Sequence, residues 1–113
     1  MSNDCIFCRI GSGDINTALV AESGRAVAFR DISPQAPLHV LVIPRDHIDS
    51  LASAEDESLL GEMLGMAARI ARDEGYSASG YRVVINTGAD GGQSVPHLHL
   101  HLLAGRHLSW PPG

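Results

Sequence analysis

His97-Leu98-His99-Leu100-His101-Leu102-Leu103 is the stretch whose reading decides the fold. Imidazole and apolar side chains alternate along it, and a period of two is the mark of a strand with one buried face. Residues i, i+2 and i+4 of a strand share a side, so His97, His99 and His101 line one face at intervals of about 6.5–7 Å. Leu98, Leu100 and Leu102 point the other way, into a core. The leucines lock the register, because a slip of one residue would bury three imidazoles. Near neutral pH an imidazole serves as a nucleophile or a proton carrier. Its nitrogen can also attack phosphorus and form a covalent phosphohistidine, which splits one hard displacement into two easier ones. Three of the six histidines stand at this spacing, which favours a reactive face over scattered surface residues. A histidine strand that only binds metal is the competing reading.

Upstream, residues 87–96 form a loop with Gly88, Gly91 and Gly92. Glycines let backbone N–H groups approach an anion closely, and Ser94 can donate a hydrogen bond to a leaving-group atom. Tyr81-Arg82-Val83-Val84-Ile85-Asn86 alternates as a strand, and Leu38-His39-Val40-Leu41-Val42-Ile43, closed by Pro44, reads as a buried one. Two apolar runs, 18–22 and 26–30, flank a Ser23-Gly24 turn and suggest a hairpin. The segment 31–37 carries two prolines without N–H donors and reads as a loop.

One strong helix is expected over residues 54–74. Ser53 stands as its N-cap, Asp56 follows three residues on, and Gly75 provides the stop. Leu60, Met63, Leu64, Ala67, Ile70 and Ala71 make its apolar stripe. Gly61 and Gly65 inside it cost about 1 kcal/mol each relative to Ala. They imply close packing, either on the sheet or against a second helix across a dimer interface. Strands, one long helix and further strands give an α+β fold with a mainly antiparallel sheet.

The 113 residues suffice for one domain, 1–113. The net charge is −5 and there is no basic run, which disfavours nucleic acid as a main partner. No apolar run approaches the roughly 18 residues of a membrane span, and the first residues lack a secretory pattern. A cytoplasmic location is the resulting expectation.

The histidine stretch fits the His-φ-His-φ-His-φ-φ signature (φ apolar) and resembles the histidine-triad (HIT) superfamily. Asp31-Ile32-Ser33-Pro34-Gln35-Ala36-Pro37, Val42-Ile43-Pro44, Asp90-Gly91-Gly92-Gln93-Ser94-Val95 and Trp110-Pro111-Pro112-Gly113 are similar to its nucleotide-binding (Hint) branch. The likeness covers nearly the whole chain. It implies a five-stranded antiparallel sheet with the long helix packed on it, and a homodimer that joins two sheets into one of ten strands. The implied activity is hydrolysis of purine nucleoside phosphoramidates, with His99 as the nucleophile attacking the α-phosphorus. By the same resemblance Ser94 and His101 contact the phosphate or leaving group, and His39 relays protons. Asn86 and the stretch Gly92, Gln93, Ser94 and Val95 serve the phosphate site, and Asp31 binds the ribose hydroxyls. Phe7, Ile32 and Leu41 flank the base, while Trp110 reaches toward the partner's site. Blander roles stay open: Asp31 and Asn86 as turn residues, His39 as a satisfied core histidine, Trp110 as an anchor for the tail. A dinucleoside polyphosphate hydrolase or nucleotidyltransferase of the superfamily is an alternative, against which Ser94 argues. A nucleotide-binding regulator and a simple zinc module are alternatives of other classes.

Cys5 and Cys8 have the two-ligand spacing of many zinc sites, and with no further Cys, histidines must complete the four ligands. In some members of the wider superfamily a Cys pair and two histidines hold a structural zinc. That resemblance implies Cys5, Cys8, His47 and His97 as Zn2+ ligands, with none needed for the chemistry itself. Two free thiols remain the alternative. A thioredoxin-like pair is less favoured, because no strand precedes Cys5.

Overall fold

A computed structural model describes residues 4–113. Its elements in chain order are α1 (Ile6–Ser12), β1 (Leu19–Glu22), β2 (Ala26–Arg30), β3 (Leu38–Pro44), α2 (Glu57–Asp73), β4 (Tyr81–Val84) and β5 (Leu100–Ala104), with a 3-10 turn at Leu51–Ser53 before α2. The strands form one antiparallel sheet in the order β1-β2-β3-β5-β4. The expected α+β architecture is present. β3 lies in the centre, is buried along its whole length, and pairs Leu41 with His101 and Val42 with Leu100.

The alternation read from the sequence sorts the two faces. Leu98, Leu100, Leu102 and Ala104 join Ala26, Ala28, Leu38, Val40 and Val42 beneath α2, against Leu59, Met63, Met66, Ala67, Ile70 and Ala71. The opposite face carries Val27, Phe29, Leu41 and Ile43 under Phe7 and Ile10 of α1. A helix over each face explains why β3 shows no polar edge. Among the described residues no helix is long and apolar enough to cross a membrane.

Several expectations need correction. The long helix starts at Glu57, not Ala54, with Asp56 as its N-cap. The Asp56 carboxylate accepts from both Ser58 N–H (3.0 Å) and Leu59 N–H (3.2 Å), satisfying two of the orphan donors at the helix start. Ser53 instead closes the 3-10 turn, its hydroxyl donating to Ser50 O. The stop is as expected: Gly75 takes φ +88°, and the N–H groups of Gly75 and Tyr76 return to Arg72 O and Ala71 O.

The last strand begins at Leu100 rather than His97. Val95–His97 is bent, with His97 N–H donating to Val95 O, and Leu98 N–H bonds Ile48 O outside the ladder. His97 and His99 therefore precede the ladder while keeping the facing that alternation gave them. Likewise β4 ends at Val84, short of Asn86.

Gly61 and Gly65 do not pack on the sheet. A Cβ at Gly61 would meet nothing within 4 Å, and one at Gly65 would meet only the Arg69 guanidinium at 3.5 Å. Helix α1 was not anticipated at all. It is seven residues long, too short to display a helical period.

Candidate active site

The site lies on the α1 side of the sheet, where β3 and β5 lie side by side. His39 projects from β3 and His101 from β5, with His99 just before that strand. Their rings form a chain, with centroids 5.1 Å apart from His39 to His101 and again from His101 to His99. His99 is only 4% exposed. Phe7 packs edge-on against both His97 and His99, and against Phe29 behind them.

Hydrogen-bond chemistry decides which nitrogen of each ring carries the proton. A carbonyl only accepts and a backbone N–H only donates. His99 Nδ1 lies 2.8 Å from His97 O, so Nδ1 holds the proton and Nε2 keeps a lone pair. Gln35 N–H donates to His39 Nδ1 (3.0 Å), so the His39 proton is on Nε2. That Nε2–H faces His101 Nδ1 at 2.9 Å, which leaves the proton of His101 on its own Nε2. Asp31 Oδ2 stands 3.5 Å from His39 Nε2, and Asp31 Oδ1 accepts from Ser33 N–H (2.8 Å). Asp31 therefore shapes its turn and also faces His39. The His101 imidazole is held below the ordinary histidine range by burial, and further by the neighbouring His99 and His39.

The Asp31, His39 and His101 side chains are close enough to suggest a cation site. The proton assignment argues against one, because His39 Nε2 carries a hydrogen where a ligand would need a lone pair.

A second cluster adjoins the first. The ligand atoms of Cys5, Cys8, His47 and His97 lie within 4.8 Å of one another. His47 Nδ1 is 3.1 Å from Cys8 Sγ, and His97 Nδ1 is 3.3 and 3.4 Å from Cys5 and Cys8 Sγ. The other nitrogens are occupied as donors: His47 Nε2–H to Asp49 Oδ1 (2.8 Å) and His97 Nε2–H to Pro44 O (3.0 Å). Both Nδ1 lone pairs thus point at the thiols, with a carboxylate and a carbonyl orienting the rings from behind, as at histidine–zinc sites. Two sulfurs and two imidazole nitrogens fit the borderline-soft, tetrahedral preference of Zn2+. Burial works to raise the Cys5 thiol, but hydrogen bonds from Cys8 and His47 outweigh it and hold Cys5 below the ordinary thiol range. Cys8 is pushed up to about 11 by burial and by Cys5 beside it. His47 is raised, chiefly by Asp49, and His97, fully buried, is lowered by its burial.

Residues 12–108, which carry His39, His99 and His101 but not Cys5 or Cys8, match a known family, that of the HIT domain. The chain belongs to the HIT family. An uncharacterised HIT-like protein of Synechococcus elongatus is 52% identical over the whole of both chains. A 14 kDa zinc-binding protein of Zea mays is 48% identical over 96% of this chain and 87% of its own. An adenylylsulfatase of Arabidopsis thaliana is 46% identical over 96% of this chain and 76% of its own. Among solved structures, a HIT family hydrolase from Legionella pneumophila superposes with a TM-score of 0.93 at 47% identity, covering 97% of this chain and 100% of that one. A histidine triad nucleotide-binding protein from Candida albicans gives 0.79 at 32% identity, covering 96% and 83%. The HIT fold and the likeness to the nucleotide-binding branch thus agree with the signature in the sequence.

The remaining residues of this HIT chain are placed as follows. Phe7 and Leu41 line the buried wall beside His99, while Ile32 is fully exposed at 101%. Gly88 and Gly92 take φ +70° and +76°. The N–H groups of Gly92 and Gln93 turn inward to Ala89 O and Gly88 O, so those two are not free for an anion. Ser94 is exposed, and Asn86 and Val95 are half-buried. Trp110 is 81% exposed on a tail that Arg82 of β4 holds through Leu108 O (3.2 Å) and Ser109 O (2.8 Å). Phe29 and Asp49 escaped the sequence reading. The pairing of Phe29 with Leu41 follows from strand alternation. Asp49 is two residues from His47 and gave no signal of its own.

Proposed function

We propose that this chain is a hydrolase that cleaves the P–N bond of purine nucleoside 5′-phosphoramidates through a nucleotidyl-histidine on His99. The observation that carries the reading is the His99 Nδ1–H bond to His97 O. In the neutral ring this bond fixes the proton on Nδ1 and leaves the lone pair on Nε2, on a ring clamped by Phe7, which is the tautomer a nitrogen nucleophile needs. In the first step Nε2 forms a bond to the α-phosphorus. The electron pair of the P–N bond leaves on the amine, which takes the proton from His101 Nε2. In the second step water attacks the phosphorus and returns a proton to His101, and His99 departs with its electron pair. His39 holds His101 in the required tautomer and Asp31 faces His39.

In this reading Ser94 and Asn86 steady the phosphate, Asp31 takes the ribose hydroxyls, and Phe7, Leu41 and Ile32 flank the base. Cys5, Cys8, His47 and His97 hold Zn2+, which supplies structural cross-linking because a closed four-ligand site offers no position to water. A homodimer is favoured by the open edge of β4, by the uncovered Gly61 and Gly65, and by an exposed Trp110 tethered beside that edge. The name of the Arabidopsis relative favours a second substrate, adenylylsulfate. There the leaving sulfate needs no proton, so the same His99 attack serves.

The test uses adenosine 5′-monophosphoramidate. Intact-mass analysis of quenched turnover is expected to show one adenylate on the wild-type chain and none on His99→Ala. Hydrolysis by His99→Ala should fall by at least about 10³-fold, as for loss of other enzymic nucleophiles. Retained turnover in the variant contradicts the assignment.

A further inference from the structure

Gln93 belongs to the loop that the nucleotide reading places around the phosphate, yet its side chain is directed into the protein. Its Nε2 donates to Asp49 O (2.7 Å) and to Val95 O (2.9 Å), and its Oε1 accepts from Gly88 N–H (3.0 Å). Both amide hydrogens are therefore engaged, and a direct contact with a ligand would require breaking one of these bonds. The bonds join Gly88, near the start of the 87–96 loop, to Val95, near its end, and fasten the loop to residue 49.

Asp49 is the other half of the connection. Its carboxylate accepts from His47 Nε2–H at 2.8 Å, while its carbonyl receives Gln93. A series of short hydrogen bonds thus runs from a candidate metal ligand through Asp49 and Gln93 to Gly88 and Val95. The segment is also tied to the histidine stretch, because Leu98 N–H donates to Ile48 O at 2.6 Å.

We propose that Gln93 is a positioning residue through which metal in the Cys5–Cys8–His47–His97 cluster and nucleotide phosphate in the 88–95 loop strengthen each other's binding. The proposal rests on the functional reading above, for both the metal and the nucleotide. Metal bound by His47 restrains residues 47–49, Gln93 transmits that restraint, and the loop is held in its anion-receiving shape. Coupling of this kind is reciprocal: whatever factor the metal contributes to nucleotide affinity, nucleotide contributes to metal affinity.

The experiment measures Zn2+ affinity of the zinc-loaded chain by competition with a chromophoric chelator, with and without saturating AMP. For the wild type, AMP is expected to tighten Zn2+ by about tenfold, within the usual range of site-to-site coupling. For Gln93→Ala the AMP effect should fall to near unity. Gln93→Glu should behave alike, since a carboxylate keeps the bond to Gly88 N–H but cannot donate to the Asp49 and Val95 carbonyls. It provides the second variant should alanine fail to fold. Asp49→Ala, which keeps the carbonyl that Gln93 reaches, should weaken Zn2+ overall yet retain an AMP effect larger than that of Gln93→Ala. If Gln93→Ala binds AMP more weakly but keeps the tenfold effect at saturation, Gln93 is a direct ligand contact and the proposal is overturned. If the wild type binds no AMP or no Zn2+, the functional reading itself fails and the coupling falls with it.

Discussion

Substitution of Gly91 by Ala tests the loop most sharply. A Cβ at this position would lie 2.4 Å from Thr87 O, 2.8 Å from Thr87 N and 3.1 Å from Thr87 C. All three are backbone atoms, so no side chain can swing aside. Ordinary contact begins near 3.4 Å, so the Thr87 peptide and residue 91 must separate by ~1 Å. Residue 91 lies three residues before Ser94, in a loop whose ends Gln93 fastens together. The displacement therefore carries to the proposed phosphate site. A misplacement of about 1 Å in an active site costs roughly 10²-fold in rate, and overpacking of this sort costs about 1–3 kcal/mol of stability. Gly91→Ala should thus lose about 10²-fold in kcat/KM for adenosine 5′-monophosphoramidate while remaining folded by circular dichroism. Gly92→Ala is the control. Its φ is +76°, but its Cβ would meet nothing within 4 Å, so it bears only the left-handed backbone penalty of about 1–2 kcal/mol and should lose less than about tenfold. Gly91→Ala with wild-type kcat/KM, or the two variants equally impaired, would refute the reasoning.

Two further outcomes follow from burial and charge. Leu100 is fully buried under α2, so Leu100→Ala should cost about 2–5 kcal/mol in urea unfolding; a loss under 1 kcal/mol would mean that α2 does not seal this face. His101 titrates below its ordinary value because burial, then His99 and His39, disfavour its charged form. A depressed histidine leaves stability intact above the unfolded value of about 6.5. Stability falls as pH drops below that, because the unfolded chain takes up a proton that the folded one resists. The wild type should therefore lose more stability between pH 7.5 and 5.5 than His101→Gln does, and equal slopes would remove His101 from the account.

Much of the fold was legible because its elements are periodic. β2 matches its expected residues 26–30 and β3 extends the expected strand only by Pro44. Of the α2 stripe, Met63, Ala67, Ile70 and Ala71 are buried as spacing put them, whereas Leu64 is exposed, Leu60 is half-buried, and Leu59 and Met66 take their places in the core. Helix boundaries were read less well, since Ser53 and Asp56 are both good caps and only the set of available N–H groups chooses between them. Helix α1 was invisible, yet it supplies Phe7 against His99 and places Cys5 and Cys8 near His47 and His97. The first histidines of the triad were read as strand and are not, because Pro44 O receives the His97 side chain while His97 N–H turns back to Val95 O.

By itself the sequence determined that three imidazoles face one side and three leucines the other, since a period of two has no other solution in an extended chain. It carried the family signature and the four residues able to hold a metal. Only the tertiary structure decided which nitrogen of each imidazole bears the proton. That choice depends on acceptors and donors far away in the chain: Pro44 O for His97, Gln35 N–H and then His39 for His101. For His99 it depends on His97 O, two residues away, and on the bend that turns that carbonyl toward the ring. The lone pair of His99 Nε2, the proposed nucleophile, is directed by those contacts rather than by the histidine alone.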